Sequence, residues 1–168
     1  MTDKHIFLIG FMGVGKSTVA AHLSRMTGRP CVDTDALIEK QAGMAVRDIF
    51  AGQGEAAFRD METALLQALK GQSPMIISCG GGMALRRENA SLMQAAGTVV
   101  LLTARPETIL KRVEKDDSRP LLQGHKDVPY ISSLMAKRLP FYEGAAQVTV
   151  ATDGRSGQEI AEEILRKL

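Results

Sequence analysis

The sequence predicts an α/β fold: three layers, α/β/α, around a central five-stranded parallel sheet. Two observations lead there. Five short apolar runs, at 5–10, 30–33, 74–79, 98–103 and 147–152, alternate with stretches of helical periodicity, and that alternation builds parallel sheets covered on both faces. Glycine-rich or acidic motifs follow the first three runs, and in such sheets ligands gather at the carboxyl ends of the strands.

The elements follow in order. HIFLIG (5–10) reads as a buried strand, and GKSTVAAHLSRM continues as a helix with Val19, Leu23 and Met26 on one face. Residues 30–33 form a second strand, followed by helical stretches near 35–42, 45–50 and 54–69. PMIISC (74–79) is a third strand running into Gly80, Gly81 and Gly82. A helix near 86–95 precedes TVVLLT (98–103). Pro106 and Glu107 suit the first turn of the next helix. The polar, turn-rich stretch 114–127 reads as a loop, and a helix covers about 128–143. After QVTVAT (147–152), SGQE (156–159) is a capping box that opens a last helix bearing Ile160, Ile164 and Leu168.

Composition narrows the function. The 168 residues favour one domain, 1–168. A 45% hydrophobic and 24% charged chain with net charge +2 has no basic excess for nucleic acid or anionic membrane. No tryptophan and 4% aromatic residues leave no base-stacking platform. No run reaches the roughly 20 apolar residues of a membrane span. The first run is short and leads into a glycine loop, so no secretory leader is expected. Cys31 and Cys79 show no metal-type spacing and are expected as reduced, buried thiols in a cytoplasmic protein. His5, His22 and His125 show no ligand spacing either and read as structural or surface groups.

The strongest motif is GFMGVGKST (10–18), a G-x-x-x-x-G-K-S phosphate-binding loop between strand and helix. Its backbone N–H groups and the helix N-terminus suit phosphate oxygens. Lys16 would reach the β- and γ-phosphates, and the Ser17 hydroxyl would face Mg²⁺. In CVDTD (31–35), alternation along a strand would point Asp33 and Asp35 the same way. One carboxylate could hold the hydration shell of Mg²⁺, the other an acceptor hydroxyl. Otherwise Asp35 simply caps the next helix. Arg59 and Glu62 lie three apart on a helix. They make either an exposed ion pair or a carboxylate clamp in which Glu62 orients Arg59. Gly80–Gly82 is either a flexible turn or a place where a ligand approaches the backbone. Arg138 shares a face with Ile131, Leu134 and Met135, so it either pairs with an acid such as Glu143 or binds an anionic substrate. Arg119 is either solvated or a lid cation that meets the charge of a transferred phosphoryl group.

Together, GFMGVGKST, DTD (33–35), FR..E (58–62), GGG (80–82), SRPLL (118–122) and R..FYE (138–143) resemble the shikimate kinase family of P-loop NTPases over nearly the whole chain. Phe141 stands where the family's last motif often has leucine.

The resemblance implies ATP-dependent phosphorylation of the 3-hydroxyl of shikimate, a step of chorismate and aromatic amino-acid biosynthesis, by a monomeric kinase using Mg²⁺. Gly13, Val14, Gly15, Lys16, Ser17 and Thr18 would hold ATP, with Arg112 and Arg155 flanking the adenine and Arg119 closing over the phosphates. Ser17 and Asp33 would attend the metal. Asp35 would hold the ring hydroxyls and act as base. Arg59, Arg138 and the Gly80–Gly82 amides would bind the acceptor, with Phe50 and Phe58 against its ring. Residues 34–62 would form the acceptor-binding segment and 114–127 the lid. Two rivals stand beside this: a kinase for another small anionic polyol such as gluconate, and a non-catalytic nucleotide-binding module. A GTPase would be expected to carry N-K-x-D, and the sequence has none.

Overall fold

A computed structural model describes residues 3–114 and 127–168. Five strands run in parallel: β1 (His5–Ile9), β2 (Cys31–Asp33), β3 (Ile76–Ser78), β4 (Gly97–Thr103) and β5 (Val148–Ala151). They lie in the order β2-β3-β1-β4-β5. The register pairs Phe7 with Ile77 on one side and with Val99 on the other. Every residue of β1 is buried, as expected for a central strand covered on both faces.

The helices among the described residues are α1 (Lys16–Thr27), α2 (Thr34–Ala42), α3 (Val46–Gln53), α4 (Glu55–Leu69), α5 (Arg87–Ala96), α6 (Pro106–Val113), α7 (Val128–Ala145) and α8 (Gly157–Lys167). A 3-10 turn covers Met83–Leu85. The α1 and α8 helices pack on each other in one layer. In the other, α4 packs on α5 and α5 on α7.

Local signals explain the boundaries. Ser156 and Glu159 form the full capping box of α8. Pro106 sits in the first turn of α6, where its missing N–H costs nothing. Phe58, Glu62, Leu65, Leu66 and Leu69 share the buried side of α4, a 3.6-residue stripe with one acid inside it. His5 is structural: its ring nitrogens meet the Leu69 carbonyl at 2.9 Å and the Met75 amide at 3.1 Å.

The crossover from β1 runs through α1 to β2, and that from β3 runs through α5 to β4. Right-handed connections place these helices on opposite faces. The carboxyl ends of neighbouring β1 and β3 are therefore the switch point of the sheet, where a crevice opens.

Two expectations need correction. Cys31 is exposed; only Cys79 is a buried thiol, because β2 is an edge strand. Asp33 and Asp35 do not alternate along a strand, since β2 ends at Asp33 and Asp35 lies in the first turn of α2. The cap is Asp33, whose Oδ1 accepts from the Ala36 amide at 3.0 Å. The helix turn, not the strand pleat, brings Asp35 toward the crevice.

Candidate active site

A cleft of about 230 Å³ occupies the switch point. It is lined by Gly13, Gly15, Lys16, Ser17, Thr18, Asp33, Asp35, Ser78, Cys79, Gly80 and Gly81. The glycine loop after β1 forms one wall. Gly13 and Gly15 have φ of 83° and 100°, a left-handed region that side chains with a Cβ rarely adopt. This folding lets the loop wrap back onto the N-terminus of α1. Lys16 Nζ spans the loop, donating to the Gly10 carbonyl at 2.7 Å and the Phe11 carbonyl at 3.2 Å. The Val14 side chain is buried and its amide bonds the Phe11 carbonyl at 3.3 Å. Arg112 Nη1 lies over the loop, 2.9 Å from the Gly13 carbonyl. Arg155 is not among the cleft-lining residues and pairs with Glu163 at 2.9 Å.

The opposite wall is the turn after β3, and each of its three glycines faces a charged side chain, Gly80 facing two. A Cβ at Gly80 would stand 2.5 Å from Asp35 Oδ1 and 3.3 Å from Glu62 Oε2. At Gly81 it would stand 3.4 Å from an Arg138 nitrogen, and at Gly82 it would collide with the Arg59 guanidinium. Side chains at Gly80 and Gly82 would fill the space that the Asp35 carboxylate and the Arg59 guanidinium now occupy, whereas a Cβ at Gly81 would meet Arg138 in ordinary contact.

Arg59 donates to Glu62 Oε1 at 2.8 Å and to Glu55 Oε1 at 3.1 Å. Its guanidinium lies 5.9 Å and 5.4 Å from the ring centroids of Phe50 and Phe58, which pack 5.1 Å apart. The pair with Glu62 is no exposed ion pair, because Glu62 is fully buried. Burial pushes the Glu62 carboxyl up to about 7, and the Arg59 charge and hydrogen bond pull it only partly back. Burial pulls Arg59 down, but the charges and hydrogen bonds of Glu62 and Glu55 outweigh it, so its pKa rises. Glu62 Oε2 is buried with no hydrogen-bond partner among the described residues. Arg138 is 7% exposed and sits 5.8 Å from the Phe11 ring centroid. It makes no ion pair with Glu143, which lines a separate apolar cavity behind Phe11. Two buried or half-buried guanidinium groups thus approach one turn beside a phosphate-binding loop. That is the equipment for an anion next to a nucleotide.

The Gly80 amide corrects one expectation. It donates to Thr34 Oγ1 at 2.9 Å, whereas the amides of Gly81 and Gly82 have no partner among the described residues. Arg119 and all but the ends of the 114–127 segment lie outside the described residues. Sequence reasoning missed Thr34, Tyr142 and Asn89. Tyr142 Oη donates to the Gly81 carbonyl at 2.6 Å, and Asn89 Nδ2 to the Met83 carbonyl at 2.9 Å. Their signal was the presence of polar groups at positions whose helical spacing makes them core.

The family model described as shikimate kinase matches residues 12–168. The chain belongs to the shikimate kinase family. A shikimate kinase of Dehalococcoides mccartyi is 42% identical over 98% of this chain and 93% of its own length. One of Symbiobacterium thermophilum is 42% identical over 98% and 95%. Among solved structures, a shikimate kinase from Acinetobacter baumannii in complex with shikimate superposes with a TM-score of 0.93 at 34% identity, covering 99% of this chain and 93% of that one. A gluconokinase from Sinorhizobium meliloti superposes with a TM-score of 0.57 at 17% identity over 98% and 90%, a likeness of fold alone. Shikimate kinases use ATP as co-substrate, and the rival reading as a non-catalytic module falls away with family membership. No helix among the described residues is long and apolar enough to cross a membrane.

Proposed function

We propose that the protein transfers the γ-phosphoryl group of ATP to the 3-hydroxyl of shikimate, giving shikimate 3-phosphate and ADP, with the residue roles that follow. The observation that carries this is the convergence of Asp35, Arg138 and Arg59 on Gly80, Gly81 and Gly82, beside a cleft lined by Lys16 and Ser17. One carboxylate and several hydroxyls on a small ring match two guanidinium groups and an aspartate. A gluconate-type acceptor is the alternative, supported only by likeness of fold.

Phosphoryl transfer needs positioning and charge neutralisation rather than a covalent intermediate. Lys16 now bonds carbonyls of its own loop and exchanges them for phosphate oxygens when ATP binds. Asp35 orients the acceptor hydroxyl and takes its proton. Arg59 and Arg138 hold the acceptor's carboxylate, and Phe50 and Phe58 back the guanidinium of Arg59 from the side. Arg112 reaches over the nucleotide loop, while Arg155 and Arg119 keep nucleotide roles by family likeness alone.

The metal test is one of donor chemistry. Among the described residues no cluster of three or more His, Cys, Asp or Glu could cage a metal. The cleft instead offers the Ser17 hydroxyl and the Asp33 carboxylate. This fits Mg²⁺, which takes one or two protein oxygens plus phosphates and water. When bound, it neutralises charge on the β- and γ-phosphates. The free thiols Cys31 and Cys79 fit a reducing, cytoplasmic setting, and we take the working unit to be a monomer of one domain.

The test is ADP release from Mg-ATP with shikimate, with gluconate, and with no acceptor. Rapid release with shikimate alone is expected. Equal rates in all three would overturn the acceptor assignment.

A further inference from the structure

The turn Gly80–Met83 has eight backbone polar groups, and six have partners. One bond is internal, the Met83 amide to the Gly80 carbonyl, and a second comes from the Leu85 amide to the Gly82 carbonyl, both at 3.1 Å. Three more come from buried side chains on three separate helices. Thr34 of α2 accepts from the Gly80 amide at 2.9 Å. Tyr142 of α7 donates to the Gly81 carbonyl at 2.6 Å. Asn89 of α5 donates to the Met83 carbonyl at 2.9 Å. Only the amides of Gly81 and Gly82 lack a partner among the described residues.

Those two amides are the ones beside the Arg138 and Arg59 guanidinium groups. Gly81 lines the cleft and Gly82 is buried beside it; backbone N–H groups are rarely left without partners, and ones that the protein leaves open suit an anion. Thr34, Tyr142 and Asn89 are 0%, 3% and 0% exposed, so their polar atoms have no call from solvent. Asn89 does more: its Oδ1 accepts from Thr63 Oγ1 at 2.7 Å, and Thr63 Oγ1 lies 3.1 Å from the Arg59 carbonyl. The turn and the helix turn that carries Arg59 are therefore held in one hydrogen-bonded frame.

We propose that Thr34, Tyr142 and Asn89 are positioning residues that hold the Gly80–Met83 turn in the shape that offers the Gly81 and Gly82 amides to the acceptor's carboxylate. They touch no substrate; Thr34 and Asn89 act through the backbone, and Tyr142 acts through the backbone and through its hydrogen bond with Arg138, so Thr34→Val is the variant that isolates the turn. The inference rests on the proposed acceptor reading. Its physical content is that the turn is set before the ligand arrives, so binding does not bear the cost of ordering it.

The test uses Tyr142→Phe, Thr34→Val and the conservative Thr34→Ser in the full chain. Tyr142→Phe and Thr34→Val each remove one turn bond with little change of volume, and loss of one hydrogen bond corresponds to about a threefold to tenfold effect. The expected result is a rise of that size in KM for shikimate, KM for ATP held within about twofold, and recovery in Thr34→Ser. Hydrogen exchange at the Gly80 and Met83 amides should quicken in the same two variants, a readout that needs no acceptor. KM for shikimate unmoved in both variants, or both KM values rising together, overturns the proposal. If the wild type does not phosphorylate shikimate, the acceptor reading fails; exchange then decides the clamps alone, and unchanged exchange overturns them.

Discussion

Glu62 offers the sharpest test of the electrostatics, because burial and its partner act in opposite directions on one carboxyl. The perturbation is Glu62→Gln, which keeps the shape and removes the titration. In the folded chain the carboxyl is fully buried and ionises at about 7, against 4.5 for an ordinary glutamate. A shift of that size is worth about 3 kcal/mol between the two protonation states. The sign follows from proton binding. Below 4.5 the group holds its proton both folded and unfolded, and contributes no difference. Between 4.5 and about 7 the unfolded chain has released the proton while the folded chain keeps it, so stability falls as pH rises. Above about 7 both states are ionised and the loss is complete. Exchange of the protonated carboxyl for an amide adds an offset that does not vary with pH, because the attraction of the ionised carboxylate for Arg59 is already contained in the value of about 7. Urea unfolding of both proteins at half-unit steps from pH 4 to 8 gives the difference directly, since groups distant from Glu62 titrate alike in both. The variant should gain about 3 kcal/mol relative to the wild type across that window. A flat difference, or one sloping the other way, would refute the reasoning that desolvation outweighs Arg59 at this site.

The remaining predictions concern the two walls of the cleft and one helix end. Gly82→Ala places a methyl group where the Arg59 guanidinium lies, and steady-state kinetics should show KM for shikimate raised at least about tenfold with KM for ATP little changed. Arg138→Ala removes a buried cation from the turn and should cost shikimate affinity about 2 kcal/mol or more; equal loss of ATP affinity in calorimetry would mark Arg138 as structural. Ser156→Ala breaks the capping box of α8 and should lower unfolding free energy by about 1 kcal/mol, with kcat unchanged.

The layers, the strand count and the nucleotide loop were legible in the sequence because each rests on local chemistry. Alternation of apolar runs with 3.6-residue stripes dictates parallel strands under helices, and G-x-x-x-x-G-K-S builds its own phosphate cradle wherever a strand leads into a helix. Ser156 with Glu159, and Pro106 at a helix start, set boundaries through bonds within a few residues. Burial was less legible. Spacing alone left Arg59 and Glu62 open as a surface pair, and only the packing of α4 against the turn after β3 shows Glu62 sealed from water with its pKa raised. The partner of Arg138 was undecided for the same reason, since whether Glu143 or an incoming anion faces it depends on how α7 lies over the sheet. Asp33 and Asp35 reached the cleft by a route the strand pattern did not foresee, because β2 stops one residue before the helix begins. Most remote from sequence were Thr34, Tyr142 and Asn89, which are 34 to 142 in chain order yet meet within one four-residue turn. Local pattern determines which elements form and which loop takes phosphate. Which side chains share a buried turn, and with what charge, is decided only when distant segments exclude water together, because desolvation and hydrogen-bond partnership are properties of the packed interior and not of the residues that enter it.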